Sequence, residues 1–166
     1  MRLSEVLNTE LLAHNGHKSN LNKIAYHQVR SENFKRWFGD WEHNPNNASK
    51  VVDENGEPLV CYHATGHKFS EFDSNKTQDS LFWFTHDLHN IANVGAASIK
   101  HIMPVFLNIR HLAGWDEYDD LTIDQIISKG FDGIKLDDDF VAFYPTQIKS
   151  AVSNIGTYGP SHDIKD

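Results

Sequence analysis

Residues 51–65 read Val51-Val52-Asp53-Glu54-Asn55-Gly56-Glu57-Pro58-Leu59-Val60-Cys61-Tyr62-His63-Ala64-Thr65. Asn55-Gly56, set between the apolar pair Val51-Val52 and the run Leu59 to His63, is a hairpin signal, because this dipeptide tolerates the positive φ angles of tight turns. From here onward the chain reads as strands. Leu81 to Thr85 (LFWFT) and Ile102 to Ile109 have strand composition, and Asp87 to Ser98 between them reads as a short helix. Thr122 with Gln125 forms a capping box, and Gly130 stands where a helix would stop. Two further strands are expected at Gly133 to Leu136 and Phe140 to Phe143.

Toward the N-terminus the period changes from two to nearly four. Leu3, Val6, Leu7, Leu11 and Leu12 predict an amphipathic helix broken by Asn15-Gly16. Phe34, Trp37, Phe38 and Trp41 form one stripe of a second helix with Ser31 as its N-cap, the spacing of a buried face. His43 to Lys50, polar and holding Pro45, reads as a linker loop. Residues 1–50 are therefore expected as a helical lead-in packed on a core of residues 51–153, with 154–166 as a surface tail. The fold class expected is α+β: two packed, mainly antiparallel β-sheets with short flanking helices.

Composition bounds the chemistry. The 166 residues suit one domain, and 39% hydrophobic with 23% charged residues is ordinary globular usage. No apolar run approaches the roughly 18 residues of a membrane span, and the first residues lack the pattern of a secretory signal. A single cysteine, Cys61, excludes a disulfide framework. A formal charge of −8 opposes nonspecific attraction to nucleic acid or anionic lipid.

Three stretches carry residues with chemical potential. Cys61-Tyr62-His63-Ala64-Thr65 ends a strand with a histidine followed by a small residue that lets a ligand approach the backbone. Phe82-Trp83-Phe84-Thr85 alternates, so Trp83 faces away from its phenylalanine neighbours and offers a stacking surface. Asp137-Asp138-Asp139 runs into Phe140-Val141-Ala142-Phe143, so Asp139 is expected to be held at the start of a strand rather than waving in solvent. Cys61 with His63 is a weak nucleophile–base pair, because side chains two apart on a strand stand parallel. Eleven histidines invite a metal reading, but His86/His89 and His63/His67 form no metalloprotease motif, and no metal is expected.

Val29 to Thr65, including Asn33-Phe34-Lys35-Arg36-Trp37-Phe38-Gly39-Asp40-Trp41 and Asn47 to Asp53, resembles the opening of ADP-ribosyltransferase domains in polyvalent proteins of phages and mobile elements. Phe140 to Ser150 (FVAFYPTQIKS) and Asn154-Ile155-Gly156-Thr157 resemble their close. The order of motifs is similar to the diphtheria-toxin and poly(ADP-ribose) polymerase branch, whose triad is histidine, tyrosine and glutamate on three strands. The resemblance implies catalytic roles for His63, Trp83 and Asp139. It also implies a site for NAD, as substrate, made by His63, Ala64, Thr65, Trp83, Phe84 and Val94. Ala64 stands for the family glycine, Trp83 for the tyrosine, Val94 for a second tyrosine that closes over nicotinamide, and Asp139 for the glutamate. Gln147 belongs to the closing motif and reads as structural. The expected activity is mono-ADP-ribosyl transfer to a macromolecule, a protein rather than nucleic acid, in a bacterial host cytoplasm. The alternative is a degenerate module of the same fold that binds a protein partner.

Overall fold

The computed structural model describes residues 10–66, 68–73, 81–92 and 101–166. Among the described residues two α-helices precede the sheet: α1 (Lys23–Gln28), capped by Asn22, and α2 (Glu32–Phe38), whose N-cap is Ser31. Then come β1 (Cys61–Thr65), β2 (Phe82–Thr85), α3 (Leu88–Ala92), β3 (His101–Leu107) and β4 (Leu112–Ala113). They are followed by α4 (Trp115–Asp120), α5 (Ile123–Ser128), β5 (Gly133–Leu136), β6 (Asp139–Ala142) and β7 (Ile148–Ser150).

The strands form one hydrogen-bonded ladder in the order β4-β5-β6-β2-β1-β3-β7, antiparallel except for the parallel pair β4–β5. Among the described residues the strands make one sheet of seven, in place of the two packed sheets expected. Its middle is its weakest seam: β1 pairs β2 only through Tyr62↔Thr85, whereas β1 pairs β3 through five residues, Cys61 to Thr65. The backbone ladder thus joins two halves through one residue pair, while a core cluster with Cys61, Val105, Phe84 and Phe140 spans the joint.

Each half is anchored by a different apolar cluster. Phe34 of α2 is fully buried and meets Phe38, Phe106 of β3 and Tyr158 with ring centroids 5.0, 5.3 and 4.9 Å apart. Truncating a phenylalanine so enclosed costs about 3–5 kcal/mol. On the other half, α4 and α5 cover Ala113, Ile134, Leu136 and Val141. The Thr122–Gln125 capping box forms in both directions, at 2.9 and 3.2 Å. Gly133 sits where β5 crosses the chain after β3: a Cβ there would meet the Ile109 side chain at 2.5 Å, so only glycine fits.

Two sequence expectations change at the ends. Residues 1–9 of the first predicted helix lie outside the described residues. Its last residues are not helical, since Leu12 bridges to Lys18 across a turn with Gly16 at φ +85°. Residues 154–166, expected as a surface tail, pack into the body. Tyr158 and Ile164 are buried, Asn154 Nδ2 donates to the carbonyls of Ile164 and Asp166, and buried Lys149 donates to those of Ser161 and Asp163 at 3.0 and 3.1 Å.

Candidate functional site

Side chains directly opposite each other on paired strands share a face. Thr85 is opposite Tyr62 on one side and Asp139 on the other, and Trp83 is opposite Val141. Tyr62, Ala64, Trp83, Thr85, Val141 and Asp139 therefore belong to one face of the sheet. His63, Phe84 and Phe140 belong to the other.

On the first face Trp83 and Asp139 line a cleft of about 330 Å³ with Trp115 and Tyr118 of α4, Leu136, Asp137 and Asp138. Tyr118 stands edge-on to Trp83, with centroids 6.2 Å apart and planes at 87°, and Trp115 is edge-on to Tyr118. Trp115 is 47% exposed, a large apolar surface left open at the rim. The cleft thus pairs flat aromatic walls with three carboxylates, and no Lys or Arg is among its described lining residues. Such a lining suits a flat ring bearing positive charge.

The carboxylates are placed by a two-residue hairpin turn. Leu136 pairs with Asp139, so Asp137 and Asp138 form the turn, and Asp137 adopts φ +55°. That left-handed conformation is one aspartate tolerates better than most side chains. Asp139 is the first residue of β6, as its expected position at a strand start requires.

His63 occupies the seam between the two halves. Its Nδ1 lies 2.8 Å from the carbonyl oxygen of Trp83. A carbonyl only accepts, so Nδ1 carries the proton and Nε2 is left as an acceptor in the neutral ring. The imidazole holds the Trp83 backbone at the place where β1 and β2 make no further ladder pair among the described residues. Its other neighbours are Phe69, Phe72 and Phe84, with centroids 6.0, 5.0 and 5.4 Å away. Burial among them pulls its basicity below that of an ordinary histidine, and the bond to the Trp83 carbonyl offsets this in part.

The structure thus brings Trp83 and Asp139 into one cleft and joins His63 to it through the Trp83 backbone. Ala64 follows His63 on the cleft face, and Thr65 ends β1. Phe84, one of the residues the resemblance assigns to NAD, is 3% exposed and its side chain sits in the core with Phe72 and Phe140. Val94 and His67 lie outside the described residues. Cys61 is fully buried, and burial pushes its thiol far above the range in which a thiolate forms, so it is no nucleophile. Gln147 is structural: its Oε1 accepts from the Phe143 and Tyr144 amides, and its Nε2 donates to the Asn108 and Asp132 carbonyls. Among the described residues, no three His, Cys, Asp or Glu side chains gather to hold a metal.

Residues 53–118 match the family model for the ADP-ribosyltransferase of polyvalent proteins. The ADP-ribosyltransferase character read from the sequence holds over that stretch. It spans β1 to most of α4 and so contains His63, Ala64, Trp83, Trp115 and Tyr118. Asp139 lies beyond it and reaches the same cleft through the β2–β6 pairing. No curated protein matches the chain, and no solved structure does. Trp115 and Tyr118 are cleft residues that the sequence reading did not single out. The signal for Trp115 and Tyr118 as cleft walls was available in their i, i+3 spacing on α4.

Proposed function

We propose that this protein is a mono-ADP-ribosyltransferase that cleaves NAD at the nicotinamide–ribose bond and passes the ADP-ribose to a protein acceptor. The observation that carries this reading is the joint lining of one cleft by Trp83 and Asp139, on neighbouring strands, in a chain whose residues 53–118 match the transferase family. When bound, NAD supplies a flat, positively charged nicotinamide ring whose departure leaves positive charge on the ribose.

The chain's own residues answer that chemistry. Trp83 and Tyr118 give the ring apolar walls and exclude water. Asp139 accepts from a ribose hydroxyl and opposes the developing charge with a fixed carboxylate, the kind of preorganised electrostatic help that acyl- and glycosyl-transfer sites use. Its short side chain takes its reach from the start of β6. The Ala64 main chain, with Thr65 beside it, holds the carboxamide. His63, on the opposite face, acts through the backbone: its Nδ1–H donates to the Trp83 carbonyl and keeps Trp83 in place. The acidic lining repels the pyrophosphate, which keeps that end of the dinucleotide away from Asp137 and Asp138. The likeness to phage and mobile-element domains supports action inside a bacterial cell, on host or competitor machinery.

Incubation with labelled NAD and a bacterial lysate tests this reading. Label should enter one or a few proteins with the parent chain and be lost with Asp139→Ala and with His63→Ala. Equal labelling by all three would refute the assignment. A second reading, a degenerate module that binds a partner, draws support from Ala64 and Asp139 standing where the family has glycine and glutamate. Calorimetry that finds no heat with NAD, together with no nicotinamide release, would favour it.

A further inference from the structure

His86 follows β2 directly and grips the turn that precedes Asp139 twice. Its backbone N–H donates to the Asp138 carbonyl at 3.1 Å, and its Nε2 lies 3.0 Å from Asp138 Oδ1. Thr85, opposite Asp139, sets its Oγ1 3.4 Å from the same carbonyl and accepts the Asp87 amide at 3.1 Å. The turn needs such a hold. It carries three successive carboxylates, which repel one another, and Asp137 sits at φ +55°. An aspartate has only two side-chain torsions, so the direction of its carboxyl is set chiefly by its backbone.

We propose that His86 is a positioning residue for the cleft: by clamping Asp138 it fixes the direction in which the next residue, Asp139, presents its carboxylate. The inference rests on the reading of that cleft as the place where NAD is cleaved. A purely structural role would show as lost stability, but the pair is too open for that: the His86 and Asp138 side chains are 35% and 50% exposed, and such ion pairs contribute little to folding. Small misplacements of a reacting group, by contrast, cost rate steeply. His86 also packs near the Phe140 ring, with centroids 6.4 Å apart, so packing and hydrogen bonding must be separated by the choice of variant.

The test compares nicotinamide release from NAD, with kcat and KM resolved, and melting temperature, for the full chain and four variants. His86→Phe keeps the packing and removes the donor. His86→Gln restores a neutral donor. Asp138→Ala removes the acceptor, and the fourth variant combines His86→Phe with Asp138→Ala. The expected result is a fall in kcat of about tenfold for His86→Phe and Asp138→Ala, with KM changed less than about twofold. His86→Gln should return to within about threefold of the parent. The combined variant should be no worse than either single one, and all should melt within a few degrees of the parent. A His86→Phe enzyme with parental kcat, or a glutamine variant as impaired as the phenylalanine one, would overturn the inference while leaving the cleft's function standing. Should His86→Phe fail to fold, Asp138→Ala tests the same bond from its exposed side, and parental kcat there overturns the inference equally. Absence of nicotinamide release from the parent itself would instead bring down the reading of the cleft, and the inference with it.

Discussion

Replacing Glu57 with alanine should destabilise the whole domain while touching nothing in the cleft. Glu57 is fully buried, with Oε2 2.5 Å from the Arg30 guanidinium and Oε1 2.6 Å from Ser19 Oγ. It joins residues 19–30 to the hairpin that leads into β1. Removing one partner of a buried ion pair costs about 3–5 kcal/mol, because the other charge stays behind uncompensated. Arg30 retains 19% side-chain exposure and lies 3.5 Å from the Tyr26 ring centroid, so water and the ring relieve part of that cost. The lower end, about 3 kcal/mol, is therefore expected. For a chain of this size that is a drop of roughly 6–12 °C in melting temperature. Glu57→Gln keeps both contacts but loses the charge, and about half the effect should remain. Thermal unfolding followed by circular dichroism, at low and high salt, is the assay. High salt should leave the difference nearly unchanged, because buried pairs are poorly screened. An alanine variant melting within about 2 °C of the parent, which a loss of only about 1 kcal/mol would give, would refute the reasoning.

Two further outcomes follow from buried groups. Cys61, enclosed in the core, should resist a thiol-alkylating reagent in the native protein and react fully once the chain is unfolded; rapid native labelling would contradict its burial. The depressed basicity of His63 has a definite sign. The unfolded chain takes up the proton below about pH 6.5 while the folded ring resists it. Stability is therefore unaffected above that pH and falls as pH drops from there through the folded value. Melting temperatures from pH 7.5 to 5 should show a shallower fall for His63→Gln than for the parent, and parallel curves would count against the buried neutral ring.

Much of the local structure was legible in the sequence, for reasons particular residues make plain. Ser31 and Thr122 cap helices because their hydroxyls meet amides three residues on, a purely local bond. Alternation in Leu81 to Thr85 put Trp83 opposite to Phe82 and Phe84 in direction, and the β2–β6 register agrees. The single sheet was not legible, because the joint at Tyr62↔Thr85 links residues far apart in sequence and no local pattern encodes it. The same holds for Tyr158 and Ile164, too sparsely spaced to show a period, yet buried against elements more than a hundred and about ninety residues earlier. Leu11 and Leu12 looked helical by spacing, but the Asn15-Gly16 turn won and folded them into a bridge. For the site, Trp83 and Asp139 were both named from the sequence. What it hid was that His63 leaves the opposite face and acts on Trp83 through the backbone.

Nicotinamide release from NAD by the purified chain, measured for the parent and for Asp139→Asn, tests the central claim most directly. Asparagine keeps the shape of the aspartate and the turn but removes the charge. The cleft as described predicts steady release by the parent and a loss of about a hundredfold or more in kcat for the variant, the scale seen when an electrostatic stabiliser is removed. Release at the same rate from both proteins would contradict it.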